Sequence, residues 1–249
     1  MRIGIIGHAI HIERENQDWA VEDTVFYTVQ AALRSAGMSI GQIDTVIQAG
    51  DDVLDGLSIQ HVQTVEAAGA FQKEESKVER DGAWAVHYAI ARLLTGKFKT
   101  ALVAGFSKGT QCGLSAFSGM AADPFYLRPV GADANTIAAI QAGYFSGRTK
   151  ASEKDFAEVA SKNRKAGIKN PRIMKGEAGD YSVEDILKSR KIASPITELS
   201  TGRTGDGCVA LILATEEYCK ENKLEASYIT GMGLISDAYY PTYRDLSRI

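Results

Sequence analysis

The chain is 249 residues long, 45% hydrophobic and 24% charged, with 28 Lys and Arg against 31 Asp and Glu. That balance is ordinary for a globular protein and excludes disorder, a collagen-like chain and a disulfide-dense mini-protein. A net charge of −3 leaves no chain-wide basic footprint for nucleic acid, and no apolar run approaches the roughly 18 residues of a membrane span.

The first residues, Arg2-Ile3-Gly4-Ile5-Ile6, read as a short buried strand. The chain turns acidic at Glu13-Arg14-Glu15, too early for a signal peptide. Val21, Val25, Val29 and Leu33 fall four apart and predict an amphipathic helix over 19–36, closed by Gly37. Strands are expected at 45–49 and 100–105, so strands alternate with helices as in an α/β fold with mainly parallel pairing. Between them, residues 83–94 (Ala-Trp-Ala-Val-His-Tyr-Ala-Ile-Ala-Arg-Leu-Leu) are apolar almost all round, with only His87 and Arg92 polar. Such a helix is expected to be buried on every side. It follows the charged stretch 73–81 abruptly. Residues 106–205 are richer in turns, with helices expected at 136–145 and 153–166. From Arg148 to Lys175 there are nine Lys or Arg and three Asp or Glu. That excess reads as a solvated helix face or as a site that attracts a phosphate-bearing ligand. The last strands fall at 208–215 and 227–235, with a short helix at 216–223 between them.

Several familiar chemistries are excluded or weakly supported. Ile5-Ile6-Gly7-His8 follows a strand but lacks the full G-x-G-x-x-G of a dinucleotide site. No nucleophile elbow or Walker loop occurs. His8, His11, His61 and His87 have no cysteine at metal-ligand spacing, so no metal site is expected. Cys112, Cys208 and Cys219 are widely spaced and odd in number, which fits a reduced, cytoplasmic setting.

The order of these pieces resembles the thiolase superfamily, and within it the N-terminal half of the sterol-carrier-protein-type thiolases. The resemblance runs through the first strand and its Gly7-His8 loop, the helix ending Ala31-Ala32-Leu33-Arg34-Ser35-Ala36-Gly37, and Ile43-Asp44-Thr45-Val46-Ile47. It continues through Ala85-Val86-His87-Tyr88-Ala89-Ile90, Thr95-Gly96 and Leu102-Val103-Ala104-Gly105. Ser107-Lys108 falls where these thiolases carry Glu-Lys. Lys162-Asn163-Arg164, Asn170-Pro171, residues 189–195 and Asp206-Gly207 complete the order. The resemblance implies one thiolase-like domain over 1–249: a mainly parallel mixed sheet, a buried helix layer, and a loop subdomain at about 106–205 that folds over coenzyme A.

Two departures bear on activity. The family carries a nucleophilic cysteine at the start of the buried helix, where the helix N-terminus lowers the thiol pKa. The register set by Gly82, Ala85 and His87 puts Glu79 in that place, and no cysteine precedes Cys112. The family's catalytic histidine and second cysteine belong to a second half that would begin about where this chain ends. Without that half, the helix at 83–94 is expected to leave an apolar face in need of cover. The resemblance therefore implies a nucleophile-free subunit of a multi-chain acyl-CoA acyltransferase, forming a dimer or higher oligomer. A second thiolase-like chain would supply the cysteine and histidine. Coenzyme A or acyl-CoA would be its ligand, met by Arg148, Lys162, Arg164 and Lys165, with no covalently bound cofactor. The alternatives are a decarboxylase or Claisen-type enzyme using Glu79 or Asp81 as base, and a non-enzymatic scaffold.

Overall fold

A computed structural model describes residues 2–14, 18–54, 59–79, 81–174, 176–240 and 243–245. In chain order the elements are β1 (Ile3–Glu13), α1 (Val21–Ala36), β2 (Thr45–Gly50), α2 (His61–Thr64), β3 (Glu74–Glu79), α3 (Gly82–Leu94) and β4 (Thr100–Lys108). These are followed by α4 (Leu114–Ala121), α5 (Ala134–Thr149), α6 (Glu153–Gly167), α7 (Val183–Lys188), β5 (Lys191–Ala193) and β6 (Ile196–Thr197). The chain then returns through β7 (Asp206–Thr215), α8 (Glu216–Glu221) and β8 (Ser227–Ile229). It divides into two compact units, 1–111 with 205–234, and 112–204 with 235–249.

The first unit is built on a six-stranded sheet of order β3-β2-β4-β7-β1-β8. β3, β2 and β4 pair in parallel, whereas β7 pairs antiparallel to both β4 and β1, and β8 antiparallel to β1. The sheet is thus mixed. β1 through β4 share one direction, and the late strands β7 and β8 run against them.

Alternation along the strands sends one set of side chains to each face. Leu102, Ala104 and Phe106 of β4 join Val46, Ala210 and Ile212 beneath Val25, Val29, Ala32 and Leu33 of α1. Ala101 and Val103 face the other way and join Ile47, Ala49 and Leu213 against Ala85, Ala89, Ile90 and Leu93 of α3. α1 stops at Gly37, whose φ of 65° is the left-handed conformation glycine adopts without a Cβ penalty.

α3 departs from the expectation of all-round burial. Its inner stripe is packed on the sheet, but Ala83, Tyr88, Ala91 and Leu94 are exposed, with Tyr88 at 42% and Leu94 at 45%. An apolar face of this helix is therefore uncovered. Other boundaries also differ. The charged stretch before α3 contains the edge strand β3, and β1 runs to Glu13 because its polar half is laddered to β7. The strand expected over 227–235 ends at Ile229, before the glycines at 231 and 233.

In the second unit, α6 lies beside α7 and the segment leading to β7. β5 and β6 form a small hairpin of their own. Arg164 joins this unit together, as described below. Among the described residues no helix is long and apolar enough to cross a membrane.

Candidate functional site

The start of α3 is the position singled out by the sequence. Gly82 sits against β4, where a Cβ on Gly105 would come within 3.3 Å of the Gly82 Cα. That close approach seats the helix N-terminus at the ends of the parallel strands. Asp81 is the N-cap: its Oδ1 accepts the amides of Ala83 at 2.9 Å and Trp84 at 3.3 Å. This satisfies two of the donors a helix start leaves open.

Glu79 is the last residue of β3. Its Oε1 accepts the amide of Asp52 at 3.1 Å, and its Oε2 pairs with Lys77 Nζ at 2.7 Å. Lys77 also pairs with Asp52, whose Oδ1 accepts the amide of Gln60 at 3.1 Å. The three charged groups thus close on one another at the ends of β2 and β3. Burial opposes charge on Asp52, but the hydrogen bond from Lys77 and that from the Gln60 amide outweigh it and hold the carboxyl below its ordinary value. Burial likewise opposes charge on Lys77, and its bonds to Asp52 and Glu79 raise it on balance. Glu79 ends β3 and Asp81 caps α3, each with its own partners.

The cysteines lie elsewhere. Cys208 is on β7 inside the core beneath α1, and burial pushes its thiol up to about 12. Cys219 on α8 is also buried and raised by desolvation. Cys112 is half-buried in the segment after β4. None is at the α3 N-terminus. No described group of three or more His, Cys, Asp or Glu is arranged to hold a metal ion.

The four candidate coenzyme A contacts separate. Arg148, in the last turn of α5, and Lys162, on α6, are exposed. Lys165 is exposed and pairs with Asp180 at 2.9 Å. Arg164 departs from the expectation of a ligand-facing cation. It is buried, and its guanidinium donates to the carbonyls of Leu199 at 2.6 Å, Glu177 at 2.8 Å and Thr201 at 2.9 Å. It lies over the Tyr181 ring as well. Its donors hold two segments of the second unit, at Glu177 and at 199–201, to α6 and leave it committed to the fold. Lys175 lies outside the described residues.

Sequence reasoning passed over Lys77 and Asp52. A lysine alternating with glutamates on a short polar run was the available sign.

No family model matches the chain. In sequence it is 30% identical over 87 residues to sterol carrier protein 2 of Gallus gallus, a match covering 35% of this chain and 16% of that protein. It is 28% identical over 110 residues to benzoylsuccinyl-CoA thiolase subunit BbsB of Thauera aromatica, covering 44% and 28%. In structure it superposes on the Ltp2-ChsH2(DUF35) aldolase with a TM-score of 0.75 at 20% identity, over 99% of this chain and 65% of that one. It also superposes on human mitochondrial 3-ketoacyl-CoA thiolase, solved in complex with CoA, with a TM-score of 0.71 at 13% identity, over 90% and 67%. The chain has the thiolase fold. The sequence matches span less than a third of the curated thiolase-like relatives, and the superpositions span about two thirds of the solved chains.

Proposed function

We propose that this thiolase-fold chain is a nucleophile-free subunit of a heteromeric, cytoplasmic acyl-CoA acyltransferase. It supplies fold support and coenzyme A contacts, and a second thiolase-like chain supplies the reactive cysteine and histidine. One observation supports the reading: Glu79, which the sequence register aligns with the family's nucleophile, ends β3 held by Lys77 and the Asp52 amide. A carboxylate held in this way does not form an acyl-thioester. The uncovered face of α3 is the surface that the partner chain covers. Names among the relatives fit the proposal: BbsB is a thiolase subunit, and the aldolase pairs Ltp2 with ChsH2. Arg148, Lys162 and Lys165 attract the nucleotide phosphates. Contacts of that kind position the ligand and steer its encounter.

The test is co-expression with a thiolase-like chain that carries the missing cysteine and histidine. The expected result is a stable pair whose acyl transfer is lost when the partner's cysteine is replaced and survives Glu79→Gln here. Transfer by the isolated chain that disappears in Glu79→Gln would overturn the proposal and favour a carboxylate base. A pair that forms but ignores coenzyme A would reduce the chain to a scaffold.

A further inference from the structure

α1 begins without a side-chain oxygen at its cap, because the residue there is Ala20. The residue before it does part of the holding. The Trp19 ring stacks on His11 of β1, with centroids 4.8 Å apart and planes 24° from parallel, and meets the Tyr27 ring of α1 at 5.0 Å. The Trp19 carbonyl accepts Lys108 Nζ at 2.8 Å, and the Ala20 amide donates to Asp23 Oδ2 at 3.0 Å. The indole thus ties the end of β1 to the foot of α1.

His11 is the titratable member of that tie. Its Nε2 is shut from solvent and has no hydrogen-bond partner, yet it lies 3.2 Å from Glu13 Oε1. A buried ring nitrogen left unpaired is costly, and a proton taken up beside a carboxylate pairs it. The other groups on this side follow from the strand ladder. His11 stands opposite Cys208 of β7, Glu13 stands opposite Asp206, and Asp206 stands opposite Lys108 of β4. Directly opposed residues share a face of the sheet. Cys208 stays a neutral thiol, because burial pushes it up to about 12. Asp206 is buried and accepts the Thr110 amide and hydroxyl. Asp18 precedes Trp19 in the chain, and Asp23 of α1 is turned to the Ala20 amide. Glu13 therefore attracts a charge on His11, and Lys108 is the cation that opposes it.

We propose that His11 is a proton-operated clasp on the start of α1. Protonated, the ring pairs with Glu13 and lies on the Trp19 indole as a cation, which tightens the hold of β1 on Trp19. Deprotonated, it keeps the stack but gives up both charge contacts, and the first turn of α1 opens more readily. Histidine is the side chain that changes charge in the physiological range, so the clasp responds there. β1 and β3 share one direction, so the clasp closes at the sheet edge that also carries Glu79. It uses neither the partner chain nor the coenzyme A of the proposed function.

The chain has two tryptophans, so Trp84→Phe leaves Trp19 as the sole indole emitter. Its emission is read from about pH 8 down to about pH 5. A protonated imidazole quenches an indole stacked on it, so a single-step loss of emission is expected on acidification. Hydrogen exchange, corrected for its intrinsic pH dependence, reports the first turn through the Thr24 amide, which donates to the Ala20 carbonyl. That amide should be about two- to fivefold better protected in the acid form, the range of an exposed cation–π contact. His11→Gln should abolish both changes. His11→Phe keeps a ring on Trp19 and should also abolish them, and it serves as the test if circular dichroism shows His11→Gln unfolded. Glu13→Gln should keep the emission step and lose part of the gain in protection. Emission that stays flat with pH in the Trp84→Phe parent, or a step that survives His11→Phe, overturns the proposal. So does an emission step with no change at the Thr24 amide, which would make the two rings a stack that holds nothing.

Discussion

α1 and α3 lie on opposite faces of one sheet, yet only α1 looks finished. α1 buries seven residues, including Val25, Val29, Ala32 and Leu33, and turns Asp23, Arg34 and Ser35 outward. Its exposed aromatics, Phe26 and Tyr27, gather near its start, where Tyr27 leans on Trp19 and Trp19 stacks on His11. α3 buries four residues and turns Ala83, Tyr88, Ala91 and Leu94 outward, with no charge among them. The inner faces do the same job. The outer faces show which side of the sheet ends at water and which expects another layer.

The largest effects should come from the inner faces, and they should match. Leu33 of α1 is 3% exposed and Leu93 of α3 is 0% exposed. Each Leu→Ala change is expected to cost about 2–5 kcal/mol in urea unfolding, through lost transfer energy and the cavity left behind. A much smaller cost at Leu93 would mean that α3 is not seated on the sheet in the isolated chain.

The outer faces should then diverge. Leu94→Glu replaces a side chain that is 45% exposed, so unfolding free energy should move by less than about 0.5 kcal/mol. Recovery of a thiolase-like partner in co-purification should nonetheless fall by about tenfold or more, because a charge would be buried at the new contact. Arg34→Glu on α1 should change neither. Equal partner recovery with Leu94→Glu would remove α3 as the contact face.

How far the sequence showed this contrast follows from which signals are local. The α1 stripe and its Gly37 stop were legible because helix period and left-handed glycine are properties of short segments. The apolar character of α3 was equally legible, and so was the prospect of a face left for cover, but helix period alone did not say which stripe would seat on the sheet. β3 was missed because an edge strand carries charges along its exposed side, and Glu-Glu-Ser-Lys-Val-Glu offers only Val78 to the core. Arg164 was grouped with solvent-facing cations by counting charges along 148–175. Spacing carried the better information: Arg164 falls on one helix stripe with Ala157 and Ser161, the face that α6 buries. The Lys77–Asp52 pair joins residues 25 apart, and only the parallel register of β2 and β3 puts them together.

The two helix starts extend the comparison at smaller scale. Asp81 caps α3 with its side chain, whereas Ala20 at the start of α1 has no side-chain oxygen to offer. Asp81→Ala is expected to cost about 1 kcal/mol, and Ala20→Ser to add about 0.5–1 kcal/mol. Thermal or urea unfolding of the two variants, read against Leu33→Ala and Leu93→Ala, would rank local capping against packing. An Asp81→Ala loss several times larger would show that the carboxyl holds more than two amides.

The smallest effect concerns pH, and it belongs to the strand ends before α3. Asp52 is held below its ordinary 3.8, with burial opposed by the Lys77 and Gln60 hydrogen bonds. A lowered carboxyl contributes stability that is complete above its unfolded pKa and is lost as pH falls through the folded value. Lys77 is raised above 10.5, again against burial, by Asp52 and Glu79. Its contribution is complete below the unfolded pKa and is lost as pH rises through the folded value. The pair therefore stabilises fully across the neutral range and weakens at both ends. The Lys77 side chain is 10% exposed and that of Asp52 is 25%, so solvent screens the pair and the slopes should be shallow. At the start of α8, Glu216 is down at about 2 through its bonds to Arg2 and Lys220, which gives an acid slope of the same sign. Lys77→Met should flatten the acid limb of urea midpoints below about pH 4 and the alkaline limb above about pH 10.5. It should leave the slope from Glu216 in place. An unchanged acid limb in Lys77→Met would mean that Asp52 does not owe its low value to Lys77.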